Sequence, residues 1–244
     1  AVIRAGGLGV KDGAVLAARE AFDAGPWPRM DPKERADFLS RVAGILKTRM
    51  PELSAVQTEE MGIPIGQSSV SLGLVASVWE YYAELSRTYE FDRLVEGGGR
   101  RALVASEPAG VVAAIIPWNA PITLAAWKVA PALAAGCTVV LKPAPEAPLS
   151  NYILAEALEE VGLPAGVVNV VPGGREVGEH LVTHPGTDKV TFTGSTAAGK
   201  RIMGLCAERM KRLSLELGGK SAALVLDDAD VATVAGRPSR RGQP

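Results

Sequence analysis

Five short runs rich in apolar and β-branched residues recur in the second half of the chain, at residues 111–116, 138–141, 167–171, 189–193 and 212–216. The intervals between them, near 122–135, 149–161, 175–183 and 196–209, are long enough for helices and carry helix-compatible residues. Continuously apolar strands must be covered on both faces, and strands separated by helices run parallel. The alternation therefore predicts an α/β fold, a doubly wound parallel sheet, over residues 111–231. Ligands of such sheets lie beyond the carboxyl ends of the strands, which is where function is to be sought.

The first 97 residues carry a different pattern and predict a helical segment preceding that sheet. Residues 1–13 are Gly-rich without periodicity, the first residue is Ala, and the start reads as trimmed or misassigned. A short helix is expected over 15–22, closed by Trp27-Pro28. Asp31 before Pro32, with Glu34 three residues on, is a capping-box signature. Phe38, Leu39, Val42, Ile45, Leu46 and Met50 then paint one apolar stripe that Pro51 interrupts. A further helix should reach about Met61, and another should cover 70–85 with Trp79, Tyr81 and Tyr82 as a packing stripe. Gly97-Gly98-Gly99 breaks the pattern, and residues 98–110 predict a strand arm.

Chemistry-bearing residues stand at the strand ends. Lys189-Val190-Thr191-Phe192-Thr193-Gly194-Ser195-Thr196-Ala197-Ala198-Gly199-Lys200 joins a β-branched run to a small-residue turn and a helix start. Backbone N–H groups there can cradle a phosphate, although the same Gly-x-Thr-x-x-Gly spacing also serves as plain turn chemistry. Glu216 sits among apolar residues ahead of Gly218-Gly219, as a general base could. Asn119, in Ile116-Pro117-Trp118-Asn119, reads either as an amide donor or as a helix cap. Lys142, in Leu141-Lys142-Pro143-Ala144-Pro145, reads either as a ligand cation or as a solvated strand-end lysine.

Taken in order, these four motifs resemble the NAD(P)-dependent aldehyde dehydrogenase superfamily, over about residues 21–231. The resemblance implies a Rossmann-like cofactor domain and oxidation of an aldehyde to a carboxylic acid through a cysteine thiohemiacetal and thioester. It implies that Asn119 holds the oxyanion, Glu216 activates water for thioester hydrolysis, and Lys128 lies near the active site, where a lone helical lysine would otherwise be a solvated face residue. Cofactor contacts with NAD or NADP are implied for Ile116, Pro117, Trp118, Lys142, Gly194, Ser195, Thr196, Gly199, Leu217 and Gly218. Pro145 stands where many members have a ribose-binding Glu, with Glu146 one place later, which leaves the choice between NAD and NADP open. The arm at 98–110 would serve subunit contacts, since members of the family are homo-oligomers.

The family's nucleophile, a cysteine in a Gly-Gln-x-Cys-type motif after the Glu, has no counterpart here. Cys137 and Cys206 both read as small core residues. Residues 232–244, with Arg237, Arg240 and Arg241 among Gly and Pro, read as a non-homologous disordered tail, and the catalytic domain as absent. Two functions follow as alternatives: a dehydrogenase fragment lacking its nucleophile, or a non-catalytic NAD(P)-binding remnant or interaction subunit.

A formal net charge of −1 supplies no basic field for nucleic acid or an anionic membrane surface. The apolar runs are too short to span a bilayer and no signal-peptide order opens the chain, so a cytoplasmic location is expected. Two cysteines and two histidines, His180 and His184, offer no zinc-ligand spacing, and neither a metal nor a disulfide is expected.

Overall fold

The computed structural model describes residues 8–236, with 221 and 223 excepted. The first helix, α1 (Leu8–Asp23), begins well before the expected 15–22 segment. Gly9 and Gly13 weaken its intrinsic preference, and docking overrides them: Ala14, Val15 and Ala18 are buried against the sheet. The Thr138 hydroxyl donates to the Ala18 carbonyl at 2.9 Å.

Helix α2 (Pro32–Thr48) is capped by Asp31, whose side chain accepts from the Lys33 amide at 2.8 Å. Glu34 is exposed, so the expected reciprocal box gives way to a one-sided cap. Leu39, Val42 and Leu46 are buried as the stripe requires. Arg49 separates α2 from α3 (Met50–Met61), and its guanidinium bonds Glu52 and Glu156. Helix α4 (Ile65–Thr88) runs beyond 70–85 at both ends and buries Trp79 completely. Tyr82 packs partly against the core, but Tyr81 is exposed, which corrects the expected aromatic stripe.

The arm is a hairpin, β1 (Asp92–Gly97) against β2 (Arg100–Ala105), so a strand lies inside the stretch read as helical. Gly97 pairs with Arg100 around Gly98 and Gly99, at φ of 57° and 74°. Two successive positive φ values are what a tight two-residue hairpin turn demands, and glycine meets them without strain.

The sheet follows as predicted. Strand β3 (Val111–Ile115) leads through α5 (Pro121–Ala134) to β4 (Thr138–Lys142), then through α6 (Leu149–Glu160) to β5 (Val168–Val170). The chain returns through α7 (Arg175–Thr183) to β6 (Lys189–Gly194), then through α8 (Thr196–Ala207) to β7 (Arg212–Leu217). The order is β5-β4-β3-β6-β7, with every pairing parallel. Alternate residues feed two apolar layers. Val112, Ala114, Val139 and Leu141 join the layer built with α2 to α6, whereas Val111, Ala113, Ile115 and Val140 join the one containing α1, α7 and α8 residues. Asp188 fastens the entry to β3, accepting from the Val111 amide at 2.7 Å and from Arg19 at 2.6 Å.

A short helix, α9 (Val231–Gly236), occupies the start of the segment read as disordered; the rest of that segment, with its three arginines, lies outside the described residues. Among the described residues no helix is long and apolar enough to cross a membrane.

Candidate functional site

Because the chain moves outward from β3 to β4 and β5 and then returns to β6 on the other side of β3, the strand order reverses between β3 and β6. Loops leaving the carboxyl ends diverge there and leave a crevice. A cleft of about 1120 Å³ reaches this place and runs along one face of β6 and β7, from Lys189 and Arg212 at their starts to Gly194 at the end of β6 and Gly218 just past β7, walled by the β3–α5 loop and α5. Pro117, Trp118, Asn119, Lys128, Gly194, Ser195, Glu216, Leu217 and Gly218, all singled out in the sequence, line it together.

Strand alternation decides which side chains reach it. On β6 and β7, Val190, Phe192, Leu213 and Leu215 pack toward the α1, α7 and α8 layer. The opposite parity gives three cross-strand pairs on the cleft side: Lys189 with Arg212, Thr191 with Ser214, and Thr193 with Glu216. Lys189 Nζ bonds the Ser214 hydroxyl at 2.9 Å. Thr191 and Thr193 were not singled out from the sequence. Their signal was available in the period-two placing of Lys189, Thr191 and Thr193 on one face.

Lys128 reaches this strip from α5 and is only 8% exposed. Its Nζ donates to the Thr191 hydroxyl at 3.0 Å. Burial pushes its ammonium down to about 8; the Glu216 charge opposes that fall and Lys189 adds to it. The solvated-face alternative for Lys128 is thereby excluded. Glu216, in contrast, is exposed on β7, so the apolar surroundings expected for it are not formed by the described residues. Nothing lies within 4 Å of where a Cβ of Gly218 or Gly219 would stand, so the space beside both is open.

The turn after β6 behaves as a helix start. Ser195 caps α8 by accepting from the Ala198 amide at 3.2 Å, and residues 195–197 are exposed. The Gly218 amide donates to the Gly194 carbonyl at 3.2 Å, tying the ends of β7 and β6. Gly199 lets α8 lie on β7: a Cβ there would come within 2.6 Å of Leu217. The N-cap position of α5 is held by Ala120, one residue after Asn119.

Four of the marked residues lie outside the cleft lining. Ile116 is buried in the core and not in the cleft wall, with its amide on the Lys142 carbonyl at 3.1 Å. Thr196 and Gly199 belong to the first turn of α8. Lys142 ends β4 and is 6% exposed, so the solvated alternative fails for it as well. Its Nζ donates to the carbonyls of Pro143 at 3.0 Å and Gly173 at 2.5 Å. Burial holds its ammonium below the usual lysine range, with Glu146 and Glu176 opposing. Cys137 and Cys206 are both free and buried, and burial raises both thiols. Such thiols are poor nucleophiles.

The model of the "Aldehyde dehydrogenase family" matches residues 7–239, past the boundary at 231 drawn from the motifs. Geranial dehydrogenase of Castellaniella defragrans is 48% identical over 222 residues, covering 90% of this chain and 46% of that protein. A 3-succinoylsemialdehyde-pyridine dehydrogenase of Pseudomonas is 46% identical, covering 91% and 46%. Among solved structures, an NAD-dependent aldehyde dehydrogenase from Sinorhizobium meliloti superposes with a TM-score of 0.83 at 42% identity, covering 86% of this chain and 42% of its own. Betaine aldehyde dehydrogenase from Staphylococcus aureus in complex with NAD+ superposes at 0.88 with 34% identity, covering 93% and 46%. The chain thus spans about half the length of the relatives it matches.

Proposed function

The chain belongs to the aldehyde dehydrogenase family, and from that premise we propose that residues 111–218 form the NAD(P)-binding side of an aldehyde-oxidising site. The observation that carries this is the meeting of Asn119, the buried Lys128 and Glu216 around one cleft, beside the open first turn of α8. Relatives with NAD+ bound share this fold.

The residues present fit a dinucleotide. The first turn of α8 is exposed, so its amides would be available to a pyrophosphate, and the helix dipole favours an anion there. Lys142 offers an ammonium already desolvated at the end of β4, suited to ribose hydroxyls. When bound, the nicotinamide supplies the hydride acceptor. The Asn119 amide would donate to the oxygen of a tetrahedral adduct, and Glu216 would take a proton from attacking water. Cys206 lies outside the cleft lining, and Cys137, although it borders the cleft, is 3% exposed with its thiol raised by burial, so neither is a competent nucleophile and this stretch would bind the cofactor without turning substrate over. The hairpin of β1 and β2, exposed along its whole length, would serve subunit contacts.

Trp118 is 44% exposed in the cleft and reports on it. Titrating NAD+ into the chain should quench tryptophan emission saturably, with no absorbance at the NADH band on adding an aldehyde. Absence of saturable quenching would refute the cofactor assignment. NADH formation abolished by Asn119→Ala would overturn the view that this stretch binds without turnover.

A further inference from the structure

Three metal-ligating side chains converge on the opposite layer of the molecule from the cleft. Asp12 on α1, His180 on α7 and His184 at the carboxyl end of α7 place one ligand atom each within 4.8 Å of one another. His180 Nε2 stands 2.7 Å from Asp12 Oδ1, and His184 Nε2 stands 3.7 Å from the same oxygen. His180 and His184 are four residues apart on one helix face, their ring centroids 5.3 Å apart. The short contact of His180 does not have the alignment of a hydrogen bond, and Nε2 has no hydrogen-bond partner among the described residues.

We propose that Asp12, His180 and His184 form a site for a divalent transition ion of the zinc class, joining α1 to α7. Tetrahedral zinc with ligands at about 2.0–2.1 Å keeps them roughly 3.3 Å apart, a spacing bracketed by the two distances to Asp12. Two imidazoles and one carboxylate suit zinc, nickel or copper, whereas magnesium and calcium require oxygen ligands. Asp12 is half exposed, which leaves a fourth position open to water.

Two features limit affinity. Lys211, whose Nζ donates to the His184 carbonyl at 2.6 Å, and Arg209 add positive charge nearby. His184 Nδ1 accepts the Gly186 amide at 3.0 Å. Coordination through Nε2 needs the proton on Nδ1, so the turn at Gly186 must open as the ion enters. A count of cysteines and histidines could not show this cluster, because its third ligand is brought by α1 from 168 positions away in sequence.

The test is titration of tag-free chain with ZnCl2 by calorimetry at pH 7.5, with CoCl2 absorbance as a reporter of geometry. One equivalent should bind, with tetrahedral cobalt bands. At hundredfold excess over Kd the Tm should rise roughly 5–10 °C. His180→Ala and Asp12→Ala should each weaken zinc at least tenfold while melting like the parent chain without metal, and MgCl2 should do nothing. Absence of saturable one-equivalent binding overturns the proposal. So does binding of unchanged strength in both variants, or cobalt spectra with thiolate charge-transfer bands, which would place the ion on Cys137 or Cys206.

Discussion

Replacing Lys128 by methionine should stabilise the chain at neutral pH. The ammonium is almost fully buried and its value falls from 10.5 to about 8 on folding. At 1.36 kcal/mol for each tenfold change in acidity, keeping that charge costs the folded state about 3 kcal/mol below pH 8. Methionine removes the cost at similar length but gives up the bond to Thr191, worth about 1 kcal/mol, for a net gain of about 2 kcal/mol. In a chain of this size that corresponds to a Tm increase of roughly 4–8 °C. The pH dependence identifies the cause. Between pH 8 and 10.5 the unfolded chain holds the Lys128 proton and the folded chain sheds it, so parent stability rises with pH across that window. The other lysines held below their usual range, buried Lys142 and half-buried Lys211, contribute the same sign to both proteins and cancel in the difference. Urea unfolding at pH 7 and pH 10 should therefore show a gain for Lys128→Met at pH 7 that shrinks toward zero or reverses at pH 10. A variant less stable than its parent at pH 7, or a gain independent of pH, would refute the reasoning.

Two other substitutions probe parts of the fold that the sheet depends on. Gly110→Ala places a side chain at φ +114°, with its Cβ only 1.9 Å from Asp188 Oδ2, and must dislodge the carboxylate that holds Val111 and Arg19; a loss of about 3 kcal/mol or more is expected in urea unfolding. Lys142→Met should weaken NAD+ binding about tenfold or more, as read by tryptophan quenching, because a charge-assisted bond contributes about 1.5–3 kcal/mol.

The sheet was legible because its signals are local and redundant. Each strand is an apolar run bounded by turn residues, and Arg175–Thr183 begins and ends where the pattern places it. What escaped was decided by tertiary contacts. Helix α1 draws its early start from the sheet beneath it, not from its glycine-rich sequence. Strand β1 exists only because β2 pairs with it. Within the site, the residue types at Asn119, Lys128 and Glu216 were readable, but burial was not. Lys128 resembles a surface lysine in sequence and is buried, whereas Glu216 has apolar neighbours in sequence and is exposed, its neighbour Leu215 packing on the other face of β7.

That reversal follows from the period of a strand, and it locates where the folded state bears a cost for its site. Leu215 and Leu217 flank Glu216 in sequence, yet adjacent strand residues point to opposite faces, so Leu215 packs in the apolar layer while Glu216 faces the cleft. On β6 the same alternation buries Val190 and Phe192 and sends Thr191 toward Lys128. Thr191 is itself 9% exposed, so its hydroxyl is a protein-side replacement for the water that Lys128 loses. Thr191→Val keeps shape and strand preference while removing that acceptor, and should destabilise the chain by about 1–3 kcal/mol at pH 7. The penalty should fall by pH 10, where a neutral amine no longer needs the bond as strongly. In the Lys128→Met background the same change should cost almost nothing, because no ammonium remains to be satisfied. An equal cost of Thr191→Val in both backgrounds would mean that the threonine acts through strand packing alone and that Lys128 draws its support from elsewhere.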